Sequence, residues 1–374
     1  MINIFYLKKI LNCKLTFKVK KKKILLFDGN KRSVENLTSI FKKKNFEELN
    51  IRGEKLNFYI LLYTLFKNGF KNIIKNYKIE YIKKVNPKVI ITFSDTNKGF
   101  FQLKKFFPKI KFIAVQSSNR GIEFFDKLEK YNIDYYFTFN KFYTRSLKKK
   151  ISAKYIQIGS FKSNIQKYLV TNKKDVAFIS KQVPNSPLGP VPKHELEILK
   201  ILNKFCTKNN LKLHIILKHD MVNTYKSFLL KKKFLSPYTN IIYSKKKYGS
   251  YKVCKDFQLI VNSDSTLGYE LLSMSKKVVF ICYGSKESKN WYKQYKYPFK
   301  INNFGYPGLK KNIKGNFWCN QLNKKFILKI LNKNYKMSYQ RWFYKNKKLI
   351  EKIMPRDENN SKVLNLIKNI IKNG

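Results

Sequence analysis

The segment Ser263–Glu270, which reads Ser-Asp-Ser-Thr-Leu-Gly-Tyr-Glu, holds the residues best suited to chemistry in this sequence. It follows a short apolar run, and Ser265 or Thr266 is predicted to cap a helix that starts there. The free N–H groups of a helix start, together with the helix dipole, attract an anion. Gly268 in the first turn lets a ligand or a neighbouring backbone come close. A carboxylate at Glu270, one turn into the helix, can accept two hydrogen bonds from a ribose diol.

A second candidate pair, Lys218 and His219, follows the apolar run Ile215–Leu217. Fixed cations in this position can neutralise a diphosphate as it leaves, and with a helix dipole they can do so without a metal. The chain has only three histidines, so His219 at a strand end is more informative than another lysine. Purely structural turns and caps are the alternative for this pair and for the helix start above.

Acidic residues follow two predicted strands of the N-terminal half. Asp95 is the first choice for a general base that takes a hydroxyl proton, and Asp28 is the second. Helix capping is the alternative for both. Gln116 and Arg120 follow a third strand. Arg120 is one of six arginines, and its planar fork suits two-point binding of a phosphate or carboxylate.

The strands that would position these residues are indicated by apolar runs that are short, evenly spaced and rich in β-branched residues. Such runs, separated by helical segments, predict parallel sheets covered by helices on both faces. Helices are expected at Val34–Lys44 and Glu54–Val85, with two or three more after Asn320. The predicted strands are Ile24–Phe27, Lys88–Phe93, Phe112–Gln116, Tyr135–Phe139, Tyr155–Ile158, Asp175–Ile179, Leu213–Leu217, Ile241–Tyr243, Leu259–Asn262 and Val278–Cys282.

The strand pattern runs once through the first half of the chain and then restarts. It predicts an α/β protein with two Rossmann-like, doubly wound domains at 23–165 and 166–330. A basic leader at 1–22 precedes them and a tail of helices at 331–374 follows. The domains are expected to face each other across a cleft, with ligands beyond the carboxyl ends of the strands. The leader lacks the unbroken apolar stretch of a signal peptide, which leaves a frayed end or a basic strip on a membrane surface.

The amino-acid composition limits the classes of protein to which the chain could belong. The 374 residues are 43% hydrophobic and 16% aromatic, which provides large cores and excludes a disordered chain. The 80 basic and 22 acidic residues give a net charge of +58. Arginine is scarce, and the abundant Lys, Asn, Ile, Phe and Tyr have A/T-rich codons. Drift of the composition toward such codons is therefore favoured as the explanation of the positive charge over attraction to anionic lipid or nucleic acid. Five cysteines without a C-x-x-C pair suggest neither disulfides nor zinc, and a reducing cytoplasm fits best.

Four separate segments are each similar to a segment of one known family: Asp264–Glu270 before the strand Val278–Cys282, Ile91–Asp95, Phe107–Gln116 and Ile158–Phe161. In these segments the chain resembles bacterial surface-carbohydrate biosynthesis proteins built like GT-B glycosyltransferases. The resemblance covers about residues 23–290. It implies two Rossmann-like domains, with a nucleotide-sugar donor held mainly by the second. Ser265 and Thr266 would then meet the donor phosphates, and Glu270 the ribose.

The expected function is therefore that of a cytoplasmic, metal-independent glycosyltransferase without a resident cofactor. It would transfer a nucleotide-activated sugar to a surface polysaccharide or lipid-linked glycan, with Asp95 or Asp28 as the base. Peripheral contact with the anionic inner membrane is part of this expectation, and a specific nucleic-acid partner is not. A nucleotide-sugar epimerase or polyol-phosphate transferase on the same fold is the alternative. A non-enzymatic basic protein that binds anionic membrane or nucleic acid is an alternative of another class.

Overall fold

The computed structural model describes nine stretches of the chain. They are residues 13–50, 55–119, 129–167, 174–180, 193–235, 239–246, 248–263, 265–282 and 314–373. The chain divides into two compact units. One takes in the ranges 1–118, 128–165 and 356–374, and the other takes in 119–127 and 166–355. Among the described residues, no helix combines the length and the apolar character that crossing a bilayer requires.

The first unit is built on a sheet of six parallel strands in the order β3-β2-β5-β6-β7-β8. A separate parallel pair joins β1 to β4. The central strands are buried on both faces, which is why they read as unbroken apolar runs. The strands are β1 (Lys14–Thr16), β2 (Ile24–Phe27), β3 (Phe46–Leu49), β4 (Lys55–Asn57), β5 (Val89–Thr92), β6 (Lys111–Val115), β7 (Tyr131–Thr138) and β8 (Ile151–Gln157).

Asparagine, one of the commonest residues in the sequence, starts many of the helices. The side chains of Asn30, Asn57, Asn97 and Asn140 each accept a hydrogen bond from a first-turn N–H group. Such caps satisfy donors that have no partner within the helix. The helices of this part of the unit are α1 (Lys31–Thr38), α2 (Phe58–Asn68), α3 (Ile73–Val85), α4 (Lys98–Leu103), α5 (Lys141–Lys148) and α6 (Phe161–Asn164).

The second unit is built on another six-stranded parallel sheet, in the order β11-β10-β9-β12-β13-β14. Its strands are β9 (Val176–Ile179), β10 (Leu213–Ile216), β11 (Thr239–Ile242), β12 (Leu259–Asn262), β13 (Val278–Ile281) and β14 (Trp318–Cys319). Its helices are α7 (Lys193–Lys208), α8 (Val222–Lys231), α9 (Gly249–Cys254), α10 (Thr266–Ser273), α11 (Lys324–Lys336) and α12 (Tyr339–Ile353).

The last helix, α13 (Ser361–Asn373), belongs to the first unit. Its residues Val363 and Ile367 are fully buried and join the core cluster that includes Leu26 of β2 and Ile91 of β5. Burial of two aliphatic side chains in this way contributes about 3–6 kcal/mol. The chain therefore returns to its first sheet at its end.

The ten predicted strands are confirmed, and the two-domain α/β fold class is confirmed with them. Their ends differ from the prediction by two residues at most, except that β7 and β8 begin four residues earlier. The predicted helix Glu54–Val85 is wrong as a single element, because the described part holds β4, α2 and α3 in succession. Gly69 ends α2 with φ of +58°, a conformation that breaks a helix and favours glycine. The predicted helix Val34–Lys44 is shorter and lies at Lys31–Thr38.

Candidate functional site

In the second sheet, the order of the strands reverses between β9 and β12, which lie side by side with Ile179 opposite Asn262. Open α/β sheets bind ligands beyond the carboxyl ends of the strands at such a switch point. Ser180 follows β9, and the predicted segment that begins with Ser263 follows β12. The fold therefore places the strongest motif of the sequence at the position where this class of sheet binds ligands.

Ser263 is the predicted donor-site residue with the most informative surroundings. Its side chain is 1% exposed, and its Oγ has no hydrogen-bond partner in the part of the chain that the structure describes. Its carbonyl oxygen accepts a hydrogen bond from the Cys282 thiol. A buried hydroxyl without a partner costs about 1–3 kcal/mol. A ligand group with a polar atom beside this hydroxyl would remove that cost.

The start of α10 is held by Asn262 rather than by its own cap residue. Asn262 Oδ1 accepts a hydrogen bond from the Ser265 N–H at 3.2 Å, and its Nδ2 donates to the Ser265 carbonyl at 3.1 Å. The Ser265 side chain makes no capping hydrogen bond. Thr266 Oγ1 accepts a 2.9 Å hydrogen bond from the backbone N–H of Asn119. Asn119 is grouped with this unit. The helix start is therefore rigid, while the Ser265 hydroxyl does not cap its first-turn N–H groups.

Gly268 packs against the side chain of Asn262. A Cβ atom at this residue would lie 2.6 Å from Asn262 Cβ and still nearer to the end of the Asn262 side chain. The missing side chain thus makes room for the asparagine that fixes the turn. The predicted close approach of a ligand at Gly268 stays a prediction.

Glu270 is 4% exposed, and its Oε2 accepts a 2.6 Å hydrogen bond from the hydroxyl of Tyr251 in α9. Burial, followed by the negative charge of Glu270, raises the pKa of Tyr251 well above its usual value. Tyr251 therefore remains a hydrogen-bond donor across the physiological pH range. The carboxylate is held in one orientation, and the predicted role in binding a ribose stays a prediction.

A second buried network at the switch point escaped the sequence analysis. Ser180 Oγ donates a 2.6 Å hydrogen bond to Oε2 of Glu195 and accepts one from the Tyr225 hydroxyl at 3.1 Å. Glu195 lies in the first turn of α7 and is fully buried. Burial, with the nearby Glu195 carboxylate, raises the pKa of Tyr225 well above its usual value. The position of Ser180 directly after a predicted strand is the one feature that could have indicated this network, because the three residues are far apart along the chain.

Lys218 and His219 follow β10, whose last residue, Ile216, pairs with Ile179 of β9. They therefore lie at the same edge of the sheet as Ser180. Lys218 is exposed and His219 is half-buried. Their contact with a leaving diphosphate stays a prediction, and their place one strand from the switch point is compatible with it.

The first sheet has its own switch point, between β2 and β5, and Asp28 and Ser94 occupy it. The Ser94 hydroxyl donates a hydrogen bond to Oδ2 of Asp28. Asp28 is fully buried and has φ of +63°, a strained backbone conformation for a residue other than glycine. Burial lowers the pKa of Lys78, and the negative charge of Asp28 opposes that shift.

Asp95 is 2% exposed, and hydroxyl groups occupy both oxygens of its carboxylate. Oδ1 accepts a hydrogen bond from Ser117 at 3.0 Å, and Oδ2 accepts one from Tyr136 at 3.3 Å. Tyr136 also donates to the Asp95 carbonyl at 3.0 Å. These bonds tie the end of β5 to the end of β6 and to β7. The carboxylate of Asp95 is thus engaged on both sides, whereas a base needs a lone pair that faces its substrate.

Gln116 and Arg120 are the two other predicted residues of the first half. Gln116 is bonded at both ends of its amide, since Oε1 accepts from the Phe139 N–H at 2.8 Å and Nε2 donates to the Ser118 carbonyl at 3.1 Å. These bonds connect the loop after β6 to the end of β7. Arg120 lies outside the described residues. Within the described ranges, no group of three His, Cys, Asp or Glu side chains forms a candidate metal site.

Both sheets and both switch points define a protein with the two-domain α/β architecture of GT-B enzymes. The family model described as "putative O-antigen biosynthesis protein" matches residues 113–371. The match spans more than half of the chain, and the chain therefore belongs to this family. No curated protein sequence matches the chain.

Several solved structures share this fold. One, titled as a putative UDP-N-acetylglucosamine 2-epimerase from Listeria monocytogenes, has a TM-score of 0.54 and 11% identity, and the match covers 95% of this chain and 98% of that one. The S. aureus MnaA–UDP structure has a TM-score of 0.53 and 13% identity, covering 94% and 97%. The wall teichoic acid polymerase TagF, as an H548A variant, has a TM-score of 0.50 and 10% identity, covering 95% and 90%. At such identities the likeness establishes the fold.

Proposed function

We propose that the protein is a glycosyltransferase of surface-polysaccharide synthesis that uses a nucleotide-activated sugar. The observation that carries the proposal is the buried Ser263 hydroxyl, which lacks a partner among the described residues and lies at the start of α10 at the switch point of the second sheet. The family match indicates O-antigen synthesis as the setting. The acceptor proposed here is a glycan or a lipid-linked glycan at the cytoplasmic face of the inner membrane.

In this proposal the donor phosphates bind at the start of α10. Ser263 Oγ and the Ser265 and Thr266 groups supply hydrogen bonds, and the dipole of α10 favours the negative charge. Lys218 and His219, one strand away, neutralise the diphosphate as it leaves the sugar. Glu270, oriented by Tyr251, accepts the hydrogen bonds of the ribose hydroxyls. No resident cofactor or metal is required for these roles.

The first unit supplies the base in this proposal. Asp28 and Asp95 remain the two candidates, and their surroundings differ. Both carboxylate oxygens of Asp95 accept hydrogen bonds from hydroxyls of its own unit. Asp28 accepts one at Oδ2 from Ser94 and has φ of +63°, and positive φ at residues other than glycine is enriched at functional positions. We therefore take Asp28 as the first candidate in this proposal and Asp95 as the second.

A nucleotide-sugar epimerase is the second candidate function. One of the structures that share the fold is titled a putative UDP-N-acetylglucosamine 2-epimerase, and another is titled as a complex with UDP. Fold likeness does not separate transfer from epimerisation. The two reactions differ in their products, since an epimerase converts a nucleotide sugar without an acceptor, whereas a transferase releases the nucleotide only as sugar is passed on.

Calorimetric titration of the full chain with UDP, GDP, CMP, CDP and dTDP tests the donor site. A salt concentration of about 300 mM screens the loose attraction of nucleotides to the excess of lysines. We expect one nucleotide to bind well above the others. We also expect the Ser263→Ala and the Ser265→Ala/Glu270→Gln variants to weaken that binding at least about tenfold, as loss of charge-assisted hydrogen bonds does.

Ser273→Ala is the matched control, because Ser273 lies at the far end of α10 and donates to the Glu270 carbonyl. It should leave nucleotide binding unchanged. Equal weak binding of all nucleotides, with no effect of the variants, would refute the donor site. Incubation of the preferred nucleotide sugar alone, followed by analysis of the sugar by NMR, separates the two candidate reactions, since only epimerisation changes the sugar without an acceptor.

A further inference from the structure

Seven large apolar side chains are exposed together in the first unit, on β1, on α2 and at the start of α3. They are Leu15, Phe17, Tyr59, Tyr63, Phe66, Phe70 and Ile74, and they are called the apolar face below. Phe66 is 89% exposed and Phe70 is 73% exposed. Single exposed apolar residues are common, but a contiguous group of this size marks an interaction site.

Four members of the apolar face adjoin one another. Tyr59, Tyr63 and Phe66 have the i, i+4, i+7 spacing that places residues on one side of a helix. The Phe17 ring lies 5.8 Å from the Tyr59 ring. Directly after α2, the Gly69 turn leads the chain into Phe70. Phe17 and the three helix residues therefore form one surface along α2, and Phe70 follows the end of that helix.

Helix α2 has an unusual composition for a helix in this position. Its sequence, Phe-Tyr-Ile-Leu-Leu-Tyr-Thr-Leu-Phe-Lys-Asn, is apolar on nearly every side, yet only Ile60 and Thr64 are buried. A helix that is apolar all round is normally enclosed by protein or by membrane. Here Tyr59, Tyr63 and Phe66 are exposed, and Phe58, Leu61, Leu62 and Leu65 are only half-buried.

Lysines surround the apolar face. The exposed lysines on these elements, next to them in the chain and on β4, which pairs with β1, are Lys14, Lys18, Lys55, Lys67, Lys71 and Lys75. Lys55 lies 3.8 Å from the Glu48 carboxylate. Lys67 Nζ lies 5.5 Å from the centre of the Tyr63 ring, and Lys75 Nζ lies 4.7 Å from that of Phe106, itself 39% exposed. Glu80 brings an acidic group into this region, and Lys67 and Lys83 pair with it at 3.5 and 2.9 Å. The rim of the face is therefore strongly cationic.

We infer that the apolar face docks on an anionic lipid bilayer. Apolar and aromatic side chains enter the boundary of headgroups and acyl chains, while the surrounding lysines meet negative headgroups. Tyrosines suit this depth because their rings are apolar and their hydroxyls remain hydrated. A second copy of the chain fits the face less well, since a two-fold contact would bring two lysine rims together. This docking does not depend on the sugar chemistry, so its failure would leave the proposed function untouched.

Sedimentation of the full chain with vesicles tests the inference. The vesicles are phosphatidylcholine alone, or with about 30% phosphatidylglycerol, at about 100 mM salt. We expect binding to the anionic vesicles and little binding to the neutral ones. Phe66→Ser/Phe70→Ser should lower the partition coefficient at least about tenfold, because each phenylalanine loses its transfer from water into lipid.

Leu230→Ser/Tyr344→Ser is the matched control, since it removes two exposed apolar side chains, 56% and 79% exposed, from the second unit. It should bind vesicles like the unchanged protein. Equal binding by the Phe66→Ser/Phe70→Ser variant would overturn the inference, because lysine charge alone would then explain the attraction. Absence of binding to anionic vesicles would overturn it too, as would a dimer in solution that this double variant converts to a monomer.

Discussion

The Tyr251 hydroxyl donates a 2.6 Å hydrogen bond to the Glu270 carboxylate, and the two side chains are 6% and 4% exposed. The pair joins α9 to α10 behind the helix start that carries Ser265 and Thr266. Hydrogen bonds to a charged group in a buried setting are among the stronger ones, and they fix the orientation of the charge. Glu270 is therefore set in place before any ligand arrives.

Tyr251→Phe tests this relationship. Removal of the hydroxyl leaves the buried carboxylate with one donor fewer, so we expect a loss of about 1–3 kcal/mol in the free energy of unfolding, measured by urea denaturation. We also expect weaker binding of the preferred nucleotide by calorimetry. Tyr344→Phe, which changes an exposed tyrosine, serves as the control. Unchanged nucleotide affinity in Tyr251→Phe would show that the orientation of Glu270 has no part in donor binding.

Gly268→Ala tests the packing of α10 on its strand. The new Cβ would meet the Asn262 side chain, and the turn that Asn262 holds would have to move. Although alanine favours helices by about 1 kcal/mol over glycine, overpacking costs about 1–3 kcal/mol and more when backbone must shift. We therefore expect a lower melting temperature. Gly99→Ala in α4, where the nearest atom would lie 3.1 Å away, should be milder. A Gly268→Ala protein as stable as the unchanged one would contradict this packing.

The sequence predicted the strands well because each central strand is a short run of buried apolar residues. It missed four short strands: β1 and β4, which pair with each other, and β3 and β14, which lie at sheet edges. β3 contains Glu47 and Glu48 and gave no apolar run, and the other three strands are only two or three residues long. The chemistry of the motif after β12 was visible in its hydroxyls and its glycine. The partners were not visible, since Tyr251 and Asn262 reach Glu270 and Gly268 only through the folded sheet and its helices.

Lysine is abundant throughout the chain, and this abundance hides the specific structural roles of two lysines. Lys276 Nζ donates a 2.7 Å hydrogen bond to the Lys255 carbonyl at the end of α9. Its neighbour Lys277 donates to the carbonyls of Asn334, Tyr335 and Met337 at the end of α11. Cations are favourable at helix C-termini. Two adjacent lysines thus stabilise two helices, which lysine abundance alone could not reveal.

Asp28→Asn and Asp95→Asn separate the two candidates for the base. Asparagine keeps the size of aspartate but does not accept a proton. The variant of the true base should lose about 10²–10⁴-fold in kcat for sugar transfer while its affinity for the nucleotide is retained. We expect this result for Asp28→Asn. For Asp95→Asn we expect a change mainly in stability, because Ser117 and Tyr136 donate to its carboxylate. A large loss of kcat in Asp95→Asn alone, with normal stability, would reverse the assignment.

The free energy of unfolding should depend on pH through Lys276. Burial is the largest cause that lowers its pKa from 10.5 to about 8, against the opposing charges of Cys254 and Asp256. Between these two pKa values the unfolded chain holds a proton on this lysine and the folded chain does not. The free energy of unfolding should therefore rise with pH from about 8 to about 10.5, by up to about 3 kcal/mol from this group. Below pH 8 Lys276 is protonated in both states, so the folded protein bears the full free-energy cost of burying this charge.

Lys276→Met isolates this contribution, since methionine keeps an unbranched apolar chain and cannot titrate. Urea denaturation of both proteins at pH 7, 8, 9 and 10 gives the difference in unfolding free energy, from which the titration of all other groups largely cancels. We expect the unchanged protein to gain stability relative to Lys276→Met as the pH rises above about 8. Lys345→Met, at an exposed position of α12, should show no such trend. A difference that stays constant over this pH range would mean that Lys276 keeps its proton in the folded protein, and that its hydrogen bond to the end of α9 outweighs the cost of burial.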